Sequence, residues 1–162
     1  MTTRVLDAGL FDGVGCVGLT FADDGELDPA ELGRWARDHG VRTCYPVVDG
    51  PTMKFVEWDG VRPTTTGPFG LTQPPDGPPV PAEVIDLVLV PLVLFGPQGA
   101  RAGRGAGYFD RTFSFLAAGS RPSRPALVGL AHDFQEDPAL IGREWDVPLD
   151  VIVTPSRLLR AS

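Results

Sequence analysis

The chain has 162 residues, a net charge of −7 and 43% apolar residues. That is enough for one domain, residues 1–162, with a buried core, and too apolar for bulk disorder. The acidic balance argues against a nucleic-acid partner, and no apolar run reaches the roughly 18–20 residues that cross a bilayer, so no membrane partner is expected.

In chain order, "MTTRVLDAGLFDG" lacks the basic-then-apolar layout of a secretion signal. "VGCVGLTF", 14–21, reads as a buried strand. Its Cys16, and Cys44 further on, read as buried free thiols in a reducing compartment, which makes a cytoplasmic protein the expectation. Neither cysteine has metal-ligand spacing to His39 or His132, so no zinc site is expected. A polar turn follows, and then a helix signal: Asp28 as N-cap, Pro29 at the first helical position and Glu31 completing a capping box. Leu32, Trp35 and Ala36 form the apolar stripe, and Gly40 stops the helix. "RTCYPVV", 42–48, is the next strand, so strand, helix and strand imply a parallel crossover. "MKFVEW", 53–58, reads as a strand, and Asp59-Gly60 is a hairpin signal. Residues 63–82, rich in Pro, Gly and Thr, read as one long loop. "IDLVLVPLVLF", 85–95, reads as a strand apolar on both faces, with Pro91 marking an edge or a bulge. "YFDRTFSFLAAG" predicts a helix ending at Gly119, and 126–131 and 149–154 predict further strands.

Between that long strand and the helix lies "QGARAGRGAGYFDR", 98–111. Residues 101–124 hold five arginines and one acid, Asp110, a local basic region in an acidic chain. A strand leading through a glycine-rich turn into a helix suits a small anion. Backbone N–H groups point outward, glycine permits close approach, and arginine offers paired donors to phosphate oxygens. Walker A is excluded because no Lys-Ser/Thr follows the last glycine, and G-x-G-x-x-G fails at Tyr108. A flexible surface loop is the alternative. Carboxylates at loop positions are Glu26, Asp110, Asp146 and Asp150. Asp110 differs from the rest in sitting beside the anion site, where a magnesium ligand is useful.

Read together, these segments resemble 5-formyltetrahydrofolate cyclo-ligase, also called methenyltetrahydrofolate synthetase. "VPLVLFGPQGARAGRGAGYFDRTF" is similar to the family's V-P-x-x-x-F-D-x-x-G-x-R-x-G-x-G-x-G-Y-Y-D-R, and "GELD", "YPVV…MKF", "GPFGLTQP" and "WDVPLDVIVT" follow in family order. The resemblance implies a three-layer α/β/α sandwich with a mixed, largely parallel sheet, NagB/RpiA/CoA transferase-like. It implies ATP-dependent cyclisation of 5-formyltetrahydrofolate to 5,10-methenyltetrahydrofolate, with ATP and Mg²⁺ required. Carried over by motif, Arg101, Gly103, Arg104, Gly105, Ala106, Gly107, Tyr108 and Phe109 bind ATP, and Arg104 and Tyr108 are catalytic and also reach the folate. Glu26 takes the pterin's hydrogen-bonding edge, Phe21, Met53 and Phe69 are apolar walls, and Asp110 and Asp146 hold the metal.

Three departures stand against the family pattern. F-D is Phe95-Gly96, Y-Y-D is Tyr108-Phe109-Asp110, and only about 13 residues, with Arg4 as their single cation, precede the first strand. The family's N-terminal helical segment, with its two phosphate-binding cations, is expected to lack a counterpart, which predicts weak ATP binding unless Arg121 or Arg124 folds over the triphosphate. A family member that binds folate or nucleotide with little turnover, or runs a different reaction, is the competing reading.

Overall fold

The computed structural model describes residues 1–117 and 124–161. The chain begins with a short helix, α1 (Thr2–Asp7), and enters strand β1 (Cys16–Gly18). Helix α2 (Ala30–Asp38) leads to β2 (Arg42–Asp49), which turns back as β3 (Thr52–Glu57). Short strands β4 (Thr65–Thr66), β5 (Thr72–Gln73) and β6 (Pro79–Val80) follow. Next come β7 (Leu87–Pro91), β8 (Leu94–Phe95), β9 (Arg101–Ala102) and helix α3 (Tyr108–Thr112). Strands β10 (Ala126–Leu130), β11 (Val151–Val153) and β12 (Leu158–Arg160) complete the chain.

Among the described residues, eight strands form one sheet in the order β12-β11-β10-β7-β1-β2-β3-β6. The five from β11 to β2 are parallel, and β12, β3 and β6 pair antiparallel at the two sides. Side chains alternate across β7: Leu87 and Leu89 join a core with Val5 of α1 and with Leu32 and Ala36 of α2. Val88 and Val90 point the other way, into a core with Phe113 and Leu116, which follow α3. Helices therefore cover both faces of a mixed, largely parallel sheet, the expected three-layer arrangement.

The local chemistry explains the elements. Helix α2 starts one residue later than expected, with Pro29 rather than Asp28 at the N-cap, and Asp28, one residue earlier, still accepts the Ala30 amide at 2.9 Å. The capping box does not close, because the Glu31 carboxylate takes the Thr2 hydroxyl at 2.6 Å instead. Gly40, at φ 76, ends the helix as expected. The β2–β3 hairpin turns at Gly50-Pro51 rather than at Asp59-Gly60, since Asp49 pairs with Thr52 across it. Asp59 instead caps its own loop, accepting the Val61 and Arg62 amides at 2.9 Å.

The 63–82 segment is less irregular than expected. It carries the β4–β5 hairpin and then β6, an edge strand on β3. Pro79 is tolerated there because an edge leaves one side of the backbone unpaired. The apolar run 85–95 is two strands, and Pro91 closes the central β7 at its C-terminal end, opposite Leu130 of β10. Helix α3 is five residues long and a 3₁₀ turn (Ser114–Leu116) follows; Gly119 and Arg121 lie outside the described residues.

Candidate active site at the switch point of the sheet

From β1 the chain crosses to β2 on one side, and from β7 it crosses to β10 on the other. The crevice between loops leaving two such neighbouring strands is where parallel sheets bind ligands. Here those loops carry Glu26, after β1, and the glycine-rich turn, after β7.

They are joined by ions. Arg104 donates to the Asp23 carboxylate at 2.6 Å and to the Asp23 carbonyl at 3.0 Å, and it lies 3.5 Å from the Glu26 carboxylate. Glu26 is largely buried, at 17% side-chain exposure, and also accepts the Asp23 amide at 3.1 Å. Burial pushes its carboxyl above the ordinary glutamate range, with the Asp23 amide and then Arg104 pulling it back. A third loop, after β10, locks the arrangement. His132 Nε2 lies 3.1 Å from the Gly25 carbonyl, and the Gln135 amide donates to the Leu92 and Val93 carbonyls at 2.9 Å.

The sign of the Glu26 shift makes a prediction. A carboxyl with a raised folded-state pKa binds its proton more readily folded than unfolded, so this group stabilises most below the ordinary glutamate pKa. That stability is lost as pH rises through the raised value. Glu26→Gln is expected to melt at a higher temperature than the parent chain at neutral pH, with the gap closing in acid. A lower melting temperature for the variant at every pH would mean that the Arg104 contact outweighs burial.

Arg101 sits on β9, ahead of the turn proper. Its side chain is 6% exposed and pairs with Asp110 at 2.6 Å, with its guanidinium 5.8 Å from the Phe109 ring centre. The Arg101 Nε is buried with no hydrogen-bond partner. Burial pushes this guanidinium below the usual arginine range, opposed by Asp110 and then Asp146. The same Asp110 oxygen accepts the Val147 amide at 3.0 Å, which brings Asp146, one residue earlier, to the same place. Asp146 itself accepts the Arg143 amide at 2.8 Å.

The turn itself is open. A side chain at Gly103 or Gly105 would meet nothing within 4 Å, and Gly105 and Gly107 hold φ of 89 and 67. Arg111 braces it from behind, donating to the Ala106 carbonyl at 2.6 Å and to the Pro51 carbonyl, with its guanidinium 5.3 Å from the Tyr108 ring centre. Two of the local arginines are therefore scaffold. Arg111 holds the turn, and Arg124 pairs with Asp86 at 2.6 Å, beside the start of β7 at the opposite end of the sheet, so it does not fold over the turn. Arg4 donates to the Pro155 carbonyl at 3.0 Å.

The apolar walls are distributed. Phe21 stacks on Tyr45 at 4.6 Å and meets Trp58 edge-on at 5.1 Å. Met53 donates its amide to the Thr112 hydroxyl at 3.0 Å, which ties β3 to α3. Phe69 stands apart, 81% exposed between β4 and β5, at φ 62. The departure at Gly96 has a packing reason: a Cβ there would lie 2.8 Å from the Leu140 carbonyl, so the segment after β10 occupies the space of an acidic side chain. Asp23, Arg111, His132 and Gln135 are the contributors that sequence reasoning missed. Each makes at least one contact with a partner tens of residues away, Arg104 for Asp23, Pro51 for Arg111, Gly25 for His132 and Leu92 for Gln135, and no local pattern announces those.

A sequence model of the 5-formyltetrahydrofolate cyclo-ligase family matches residues 17–155. The chain is 35% identical over 126 residues to the 5-formyltetrahydrofolate cyclo-ligase of Mycolicibacterium smegmatis, covering 73% of this chain and 62% of that one. It is 30% identical over 151 residues to that of Haemophilus influenzae, covering 85% and 74%. The match to the Escherichia coli enzyme spans 41% of that protein's length. The solution structure of Aquifex aeolicus 5,10-methenyltetrahydrofolate synthetase superposes with a TM-score of 0.81 at 28% identity, over 99% of this chain and 78% of the other. The matched span of sequence and the superposed fold agree, and the chain belongs to the 5-formyltetrahydrofolate cyclo-ligase family.

Proposed function

We propose that this chain closes 5-formyltetrahydrofolate to 5,10-methenyltetrahydrofolate in a reaction driven by ATP, releasing ADP and phosphate. The observation that carries the reading is the buried, unpartnered Nε of Arg101 beside the open turn at Gly103 and Gly105. A buried donor without an acceptor costs about 1–3 kcal/mol, and a phosphate oxygen supplies the missing acceptor. The γ-phosphoryl group passes to the formyl oxygen. N10 then attacks the activated carbon and loses its proton to the phosphate or to water, and that oxygen leaves with the phosphate.

Each side chain has a part in this reading. Arg101 and the backbone N–H groups of 103–107 orient the triphosphate. Arg104 leaves Asp23 to bridge phosphate and folate, and Tyr108 stands at the same junction. Glu26 accepts from the pterin edge. Such a site needs no strong base, since phosphoryl transfer rests on positioning and charge neutralisation. Asp110 and Asp146 supply the hard oxygen donors that suit Mg²⁺ and would hold it, and the bound ion would neutralise phosphate charge. Asp146→Asn is therefore expected to raise the magnesium concentration needed for half-maximal activity; an unchanged magnesium dependence would remove Asp146 from the metal's ligands.

Mixing the chain with 5-formyltetrahydrofolate and MgATP and following the absorbance of the methenyl product tests the proposal. Product is expected with all components present. Binding of both ligands without product would favour the non-turnover reading.

A further inference from the structure

Away from the candidate site, two thiols meet inside the sheet. Cys16 opens β1 and Cys44 lies within β2, and both are free and buried. Cys16 faces Arg42 and Gly18 faces Cys44 across the parallel pair, so the two cysteines are diagonal neighbours on one face of the sheet. Their sulfurs lie 3.3 Å apart, each thiol the other's hydrogen-bond partner. The two thiols are not alike. The contact with Cys44 holds the Cys16 thiol below the ordinary cysteine range; burial opposes this, Arg42 adds to it, and Asp86 and Glu57 pull the other way. The same contact, and then burial, pushes the Cys44 thiol up. Cys16 is the thiolate of the pair, and it stands beside the surface: Gly15 is exposed, and Asp86 accepts the Gly15 and Cys16 amides at 2.8 and 3.0 Å.

We infer that Cys16 and Cys44 are a peroxide-sensitive pair that closes reversibly to a disulfide and, by drawing β1 against β2, displaces the loop that carries Glu26. The Cys16 thiolate attacks one oxygen of hydrogen peroxide and the O–O bond breaks. Hydroxide leaves, takes up the proton the thiol had released, and a sulfenic acid remains. The Cys44 sulfur then attacks the Cys16 sulfur and its proton goes to the departing hydroxyl, so an S–S bond forms and a second water leaves. The pair gives up two electrons, one peroxide becomes two waters, and a dithiol reverses the change. The displacement travels along the strands: Leu19 donates its amide to the Cys44 carbonyl at 2.8 Å, and Phe21 stacks on Tyr45, the residue after Cys44. A close-packed core has little slack to absorb such a shift. Resting on the cyclisation reading, in which this loop holds the pterin, closure weakens 5-formyltetrahydrofolate binding.

Treating the full chain with one equivalent of hydrogen peroxide, then mapping its peptides without reduction, tests the chemistry. A linked pair of peptides carrying Cys16 and Cys44 is expected, released by dithiothreitol. Two free thiols, an oxidised Cys16 without the link, or a link between two chains would overturn the inference. Hydrogen exchange tests the coupling. The amides of 19–26 are expected to exchange faster in the oxidised chain, with no response to peroxide in Cys16→Ala; unchanged exchange in the linked parent chain would overturn the displacement. Calorimetry should show 5-formyltetrahydrofolate binding several-fold more weakly to the oxidised chain, and equal affinities would overturn the control of the site. A reduced chain that binds no folate would sink the cyclisation reading alone, with the peptide map and the exchange still deciding the inference.

Discussion

Gly99→Ala is expected to destabilise the chain by more than about 4 kcal/mol, an effect of the size reserved for a few severe mechanisms. Two of them act together here. Gly99 holds φ 76, where a side chain costs about 1–3 kcal/mol. A Cβ there would also run into the backbone carbonyl of Leu149, which cannot move aside as a flexible side chain can. That contact is structural, because the Leu149 amide donates to the Gly99 carbonyl at 2.9 Å, holding the turn before β9 against the approach to β11. Gly103→Ala is the control: its Cβ meets nothing, so the cost should stay within about 1 kcal/mol. Denaturant unfolding of both variants checks the pair. Comparable stabilities would show that the turn yields easily and does not position Arg101.

Arg101→Met is expected to cost about 3–5 kcal/mol of stability and, with it, nucleotide binding. The substitution keeps an unbranched apolar stem but leaves Asp110, at 20% side-chain exposure, without its cation. Breaking a buried pair from one side leaves an uncompensated charge, whereas removing both charges is far cheaper. The double variant Arg101→Met, Asp110→Asn should therefore regain much of the stability lost by the single one, without regaining nucleotide affinity. If the single and double variants unfold alike, the pair does not carry the energy assigned to it.

Much of the fold can be read from local signals. Asp28, the apolar stripe of α2 and Gly40 are all near neighbours in sequence, and they specify a helix whose crossover makes β1 and β2 parallel. The glycine-rich turn was legible for the same reason. Edge strands were not, because β6 and β12 are two and three residues long and only partly buried, so no apolar run marks them. The hairpin was misread because Gly50-Pro51 and Asp59-Gly60 both carry turn chemistry, and the choice rests on pairing between β2 and β3. In the candidate site, residue types were visible and partners were not. Arg104 meets Asp23 across 81 residues of chain, and Arg111 meets Pro51 across 60. An arginine committed to a carbonyl or a carboxylate looks in sequence like a free one, so counting arginines in the basic stretch does not show that Arg111 braces the turn and Arg124 pairs with Asp86.

The most direct test of the account is a joint measurement of ADP and 5,10-methenyltetrahydrofolate in one reaction mixture. The two are expected to appear in equal amounts, and neither is expected when ATP or 5-formyltetrahydrofolate is left out. ATP hydrolysis that leaves the folate unchanged, or methenyl product formed without ADP, would contradict it.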